Sequence, residues 1–148
     1  MIGAFLDWLR HSRRKNVSAV AQAAGRRGED LAHRYLRQKG FVIVARNYRL
    51  PSGDGEADLI AWDGENLVIA EVKSRESAEY GPPERAISPE KLGHMTRVAR
   101  AYARKTNTPW DRIRFDVVTV ILKNPAEIAH FHGVRSGQPD YSRSRETI

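Results

Sequence analysis

Two short apolar runs, EADLIAW and LVIAEVKSR, lie between residues 56 and 75 and are joined by Asp-Gly-Glu-Asn. Asp-Gly between apolar runs of this length predicts a β-hairpin. This hairpin constrains the chain more than any other segment, because both of its strands carry acids: Glu56 and Asp58 in the first, Glu71 in the second, with Lys73 two residues further on. A charge is costly to bury unless something pairs with it. With either a four-residue loop or a two-residue Gly-Glu loop, Trp62 faces Leu67, Asp58 falls opposite Glu71, and Glu56 falls opposite Lys73. Side chains alternate across a strand, so these four charged groups share one face at the end away from the turn. Ile60, Trp62, Leu67 and Ile69 continue that face toward the turn. Ala57, Leu59, Val68, Ala70 and Val72 make the other face. A hairpin apolar on both faces is covered on both sides, so its acids do not point into open solvent.

Like charges directly opposite each other destabilise a sheet. Two readings of the carboxylate rung stay open. Lys73 and nearby arginines balance the acids as an ion-pair network, or the acids hold a hard divalent cation such as Mg²⁺, which takes carboxylate oxygens together with retained waters. In the second reading Lys73, on the same face, is placed to orient or deprotonate a water that attacks phosphorus.

The rest of the chain predicts an α/β fold with a mixed sheet. Leu31, Ala32, Tyr35 and Leu36 recur at helical spacing and predict a helix over about 23–39, stopped by Gly40. Glu29 lies on the edge of its buried face. FVIVARNYR (41–49) reads as a strand. Ser88 and Pro89 open a second helix, with Leu92, Met95, Val98, Ala99 and Tyr102 as its apolar stripe and an end near Lys105. ESAEYGPPERAI before it reads as a loop. IRFDVVTVIL (113–122) is a further strand, AEIAHFHGV (126–134) is a short mixed segment suited to a last strand, and the chain beyond Arg135 is polar. The expected division is a basic amphipathic arm over 1–24, a domain over 25–134 and a flexible tail over 135–148.

The chain has 148 residues and no cysteine, which excludes disulfides, thiolate catalysis and Cys-based zinc sites. It has no apolar run approaching the ~18 residues that span a bilayer, and with no secretory pattern at the N-terminus the expected compartment is the cytoplasm. The formal net charge is +7, and residues 1–27 hold six Lys/Arg against one acid. A basic arm on a nearly neutral core points to a polyanionic partner, nucleic acid before anionic membrane. Arg26, Arg27, Arg75 and Lys91 are the phosphate-contact candidates in or beside the core. Other reactive side chains read more simply: Asp116 pairs with an arginine, His130 and His132 share a face but have no third ligand in view, His33 and His94 have no partner in view, and Trp8 and Trp110 serve packing.

The spacing of Asp58, twelve residues, and Glu71-Val72-Lys73 resembles the PD-(D/E)XK nuclease signature, with Ala57 in place of its proline. GRRGEDLAHRYLRQKGFVIVARNYR, GEADLIAWDGENLVIAEVKSR, YGPPERAISPEK and RFDVVTV together resemble the YraN-type family of small bacterial proteins over about 25–134. The resemblance implies a restriction-endonuclease-like core, a mixed central sheet flanked by helices. It implies Mg²⁺ or Mn²⁺ held by Asp58, Glu71, Glu29 and the backbone carbonyl of Val72, with Lys73 as the catalytic lysine. The expected activity is metal-dependent phosphodiester hydrolysis of branched or damaged DNA in repair or recombination, DNA being favoured over RNA. The resemblance also implies a homodimer, since branched-DNA nucleases of this fold often pair. The alternative is a nucleic-acid-binding module that keeps the fold without independent catalysis. No organic cofactor is implied.

Overall fold

A computed structural model describes the backbone of residues 2–77, 87–134 and 143–147, and the side chains of 19–77 and 87–134. The order of elements is α1 (Ile2–Gln38), β1 (Val42–Arg49), β2 (Glu56–Asp63), β3 (Asn66–Arg75), α2 (Pro89–Thr106), a single 3₁₀ turn (Trp110–Arg112), β4 (Ile113–Ile121), β5 (Glu127–Phe131) and β6 (Arg143–Thr147). One six-stranded sheet runs in sequence order from β1 to β6. β3 and β4 are parallel, joined through α2, and every other neighbouring pair is antiparallel. This is the α/β class with a mixed sheet that the sequence predicts, and it accords with a restriction-endonuclease-like core. None of the described helices is long and apolar enough to cross a membrane.

The sheet is covered on both faces, as the two-sided apolar hairpin requires. Leu59, Ala61, Val68 and Ala70 pack with Ala32, Tyr35 and Leu36 of α1. Ile60, Leu67 and Ile69 pack with Met95, Val98 and Ala99 of α2. The helix ends follow their capping chemistry. Ser88 accepts the Lys91 N–H at 3.2 Å with Pro89 in the first turn. At the end of α1, Gly40 takes φ 92°, its N–H bonds to Arg37 O, and Phe41 N bonds to Leu36 O; this is the left-handed stop that a glycine permits.

Two expectations change. α1 is one continuous helix from Ile2, so the helix expected from about residue 23 begins far earlier and the 24/25 boundary falls inside it. Helix propagation is cheap once a turn exists, and residues 2–24 contain neither Pro nor an internal stop. At the other end, β6 pairs with β5 inside the segment expected to be a tail. Its residues, RSRET, are polar, and strand pairing through the backbone leaves no apolar signature there. The expected loop over 76–87 falls largely on residues 78–86, outside the described residues.

Candidate functional site

The hairpin register matches expectation as far as it runs. Trp62 pairs with Leu67, and Asp63 with Asn66 closes a two-residue Gly64-Glu65 turn. The β2–β3 pairing runs back only to Leu59–Ala70. One residue further, where Asp58 would sit opposite Glu71, the Asp58 carboxylate takes the place of a backbone acceptor: Val72 N–H donates to its Oδ2 at 2.8 Å. β3 stays paired with β4 through Arg75 and β2 stays paired with β1 back to Glu56. The two central strands therefore part at the carboxylates, and each is still held from its other side.

Four carboxylates and two lysines converge at this fork. Burial raises the pKa of Asp58, and the neighbouring charges of Glu29 and Glu56 push it the same way, against the Val72 bond and Lys91. Burial raises Glu71 as well; Lys73 and Lys91 oppose the shift, and Asp58 and Glu56 add to it. The Glu71 Oε2 atom is buried with no hydrogen-bond partner. A buried carboxylate oxygen left unpaired beside other acids is costly, and a divalent cation is what such oxygens best accommodate. The donor set of Asp58 and Glu71, with Glu29 close enough to act on Asp58, thus fits a hard metal.

Glu29 is brought there by α1 and held from β1. Asn47 donates its amide to Glu29 Oε2 at 3.1 Å, and Arg46 lies 4.0 Å from the same atom. Asn47 takes φ 48°, a left-handed conformation that asparagine tolerates. The close approach of α1 has a second cause. A Cβ on Gly28 would lie 2.5 Å from Ser74 Cβ, so only glycine lets the helix meet β3 beside Glu29 and Lys73. Neither Asn47 nor Gly28 stands out in the sequence reading. The GxxGE spacing of residues 25–29, on a helix facing a strand, is the available signal for Gly28.

Other expected residues sort differently. Lys91 is no solvated lysine: its side chain is 19 % exposed and bonds Glu56 Oε1 at 3.1 Å. Glu56 also lies 3.8 Å from Arg49, and the Lys91 bond first, with the charges of Lys91 and Arg49, holds its pKa below the usual range. Arg26, Arg27 and Arg75 are exposed and make no ion pair among the described residues. They do not converge on the fork through any described contact.

A second polar cluster lies toward the turn end of β2. Asp116 is fully buried and does pair with Arg114, whose Nε and Nη2 each donate to it at 2.9 Å. His130 Nε2 donates at 2.8 Å and Gly133 N–H at 3.1 Å, and Arg114 reaches on to Asp63 at 2.8 Å. Desolvation alone would raise Asp116, but His130 and Arg114 outweigh it and hold its pKa low. His132 stacks on His130 with ring centroids 4.0 Å apart. Asp116, His130 and His132 offer ligand atoms within 4.8 Å of one another, so this group could hold a metal. Asp116 is the third ligand that the sequence reading did not find, because only the β4–β5 pairing sets it near His130. Its oxygens already accept four hydrogen bonds, however, whereas Glu71 has an oxygen with none. The fork acids are therefore better suited to a cation, and the Asp116 group is a saturated clamp joining β2, β4 and the end of β5.

A mixed sheet sandwiched by helices, with Asp, Glu-x-Lys and a helix acid meeting where its central strands part, defines a PD-(D/E)XK-like protein. The chain belongs to the uncharacterised protein family UPF0102, the YraN-type family, whose model matches residues 28–120. It is 50 % identical over 109 residues to a UPF0102 protein of Solibacter usitatus, covering 74 % of this chain and 83 % of that one. It is 46 % identical over 103 residues to one of Koribacter versatilis, covering 68 % and 70 %. With one of Paenarthrobacter aurescens it shares 43 % over 120 residues, covering 80 % and 98 %.

Proposed function

We propose that the protein is a metal-dependent nuclease that hydrolyses phosphodiester bonds, with branched or damaged DNA as the favoured substrate. The observation that carries this reading is the fork: two carboxylates with raised pKa, one with a buried unpaired oxygen, beside Lys73 and Glu29. Asp58, Glu71, Glu29 and the Val72 carbonyl would hold Mg²⁺ or Mn²⁺. Such an ion supplies a Lewis acid and a water of lowered pKa. The chain's own work is positional. The Val72 N–H fixes the rotamer of Asp58, and Asn47 fixes Glu29. Lys73 presents an ammonium to the attacking water and to the phosphoryl oxygen that gains charge. Lys91, neutralised by Glu56 in the absence of substrate, is placed to contact a phosphate beside the acids. Arg26, Arg27 and Arg75 extend the phosphate contacts, and the basic N-terminal residues add non-specific affinity. The expected compartment is the cytoplasm, and a homodimer would suit a branched substrate with two cuts.

Titration calorimetry with Mn²⁺ tests the site, on folded wild type and Asp58→Ala, followed by cleavage of four-way junctions, linear duplex and RNA with Lys73→Ala as control. Binding by wild type, lost in Asp58→Ala, with cleavage lost in Lys73→Ala, supports the nuclease. Metal binding without cleavage of any substrate leaves a binding module that keeps the fold. Absence of metal binding both with and without nucleic acid would show the fork to be an ion-pair network.

A further inference from the structure

An open recess of about 580 Å³ lies between the exposed face of α1 and β1, lined by Asp30, His33, Arg34, Arg37, Gln38 and Arg46. The helical members recur at three- and four-residue spacing, so they form one stripe along α1. Its charges do not balance. Asp30 is committed to Arg46, at 2.6 Å. Arg34 and Arg37 are exposed and have no ion pair among the described residues. Burial lowers the pKa of His33, and Arg46 and Arg37 lower it further against the opposing charge of Asp30, as a net positive recess would. His33 Nδ1 is buried with no hydrogen-bond partner. Arg46 links the recess to the fork, lying 2.6 Å from Asp30 and 4.0 Å from Glu29.

We infer that this recess binds phosphates of the nucleic-acid strand at a distance from the scissile bond, with Arg34 and Arg37 as the contacts. The inference rests on the proposed nucleic-acid substrate and adds a direction to it: the strand leaves the fork along α1 toward its C-terminus. Eight residues of helix separate Glu29 from Arg37, about 12 Å. That is roughly the rise of three to four base-pair steps along the axis of a duplex. Guanidinium forks suit this role, since they bind phosphate oxygens in pairs. A phosphate here would meet two uncommitted arginines, whereas at Arg46 it would compete with Asp30.

The test compares Arg34→Gln/Arg37→Gln with Arg100→Gln/Arg104→Gln in the full-length protein. The second pair removes the same charge from exposed positions of α2, on the other side of the sheet. Affinity for a four-way DNA junction and a linear duplex is measured in EDTA over about 50–200 mM salt. The α1 pair is expected to lose at least about tenfold in affinity at low salt, and to flatten the slope of log K against log salt by about 1.8, for two phosphate contacts. Equal losses in the two variants, or an unchanged slope in the α1 pair, would overturn the inference. If wild type binds neither DNA, the inference and the proposed substrate fall together. If Asp58→Ala abolishes cleavage while the α1 pair binds as wild type does, the inference alone falls. If the α1 pair loses affinity but no substrate is cut, the phosphate track stands and hydrolysis falls.

Discussion

At the scale of single residues, the buried acids of the two polar clusters respond to pH in opposite directions. Asp58 and Glu71 have pKa values above those of the unfolded chain, mainly through burial. They bind their protons more tightly when folded, so their contribution to stability is full below the ordinary carboxylate value and is lost as pH rises through the raised one. In EDTA at neutral pH, Glu71→Gln is expected to stabilise the fold by up to about 1 kcal/mol, the scale of a like-charge rung in a sheet. Urea melts at pH 4 and pH 8 check this; a gain that does not grow with pH would refute it. Asp116 has a depressed pKa, so its contribution is present above the unfolded value and is lost as pH falls through the folded one. Removing one partner of a buried, fully bonded charge network costs about 3–5 kcal/mol. Asp116→Ala is therefore expected to show a loss of that order in the same melts, without affecting metal affinity at the fork.

At the scale of elements, the site depends on how closely α1 approaches β3. Gly28 and Ser74 touch at a spacing that leaves no room for a side chain at 28, and each is next in sequence to a fork residue, Glu29 and Lys73. Overpacking of such a contact costs about 1–3 kcal/mol. Gly28→Ala is expected to lower stability by that amount, and Ser74→Gly to recover part of it in the double variant. A double-mutant cycle by urea denaturation reads the coupling directly; additive losses would show that the contact does not set the spacing. Metal affinity should follow the same pattern, since the contact positions Glu29.

For the whole molecule, the sheet and its two helices fold around carboxylates whose mutual repulsion works against the native state. A cation bound only by the folded protein would remove that strain and add stability by mass action. At a hundred times its dissociation constant, the gain is about 2.7 kcal/mol. Thermal melts of wild type in Mn²⁺ are expected to rise with metal concentration, whereas Asp58→Ala should stay flat. A parallel rise in both would place any bound metal elsewhere, with the Asp116, His130 and His132 group as the first alternative.

Local patterning determined much of this. The Asp-Gly hairpin, its register from Trp62–Leu67 to Leu59–Ala70, the Ser88 cap and the stripe of α2 all follow from turn chemistry and side-chain periodicity, which act over a few residues. Asp58, Glu71 and Lys73 were legible for the same reason: charge inside an apolar strand is a conflict visible in sequence. Glu29 shows in the sequence only as an acid on the edge of a buried helix face. Tertiary structure decided the rest. It parted β2 from β3 at Asp58, gave the Val72 N–H to a side chain, and carried Asn47 and Lys91 to acids 18 and 35 residues away. It also set His130 against Asp116 and opened the basic recess between α1 and β1. These partners meet because two layers of helix close on one sheet, and no periodicity within a strand or a helix encodes which residue lies across that gap.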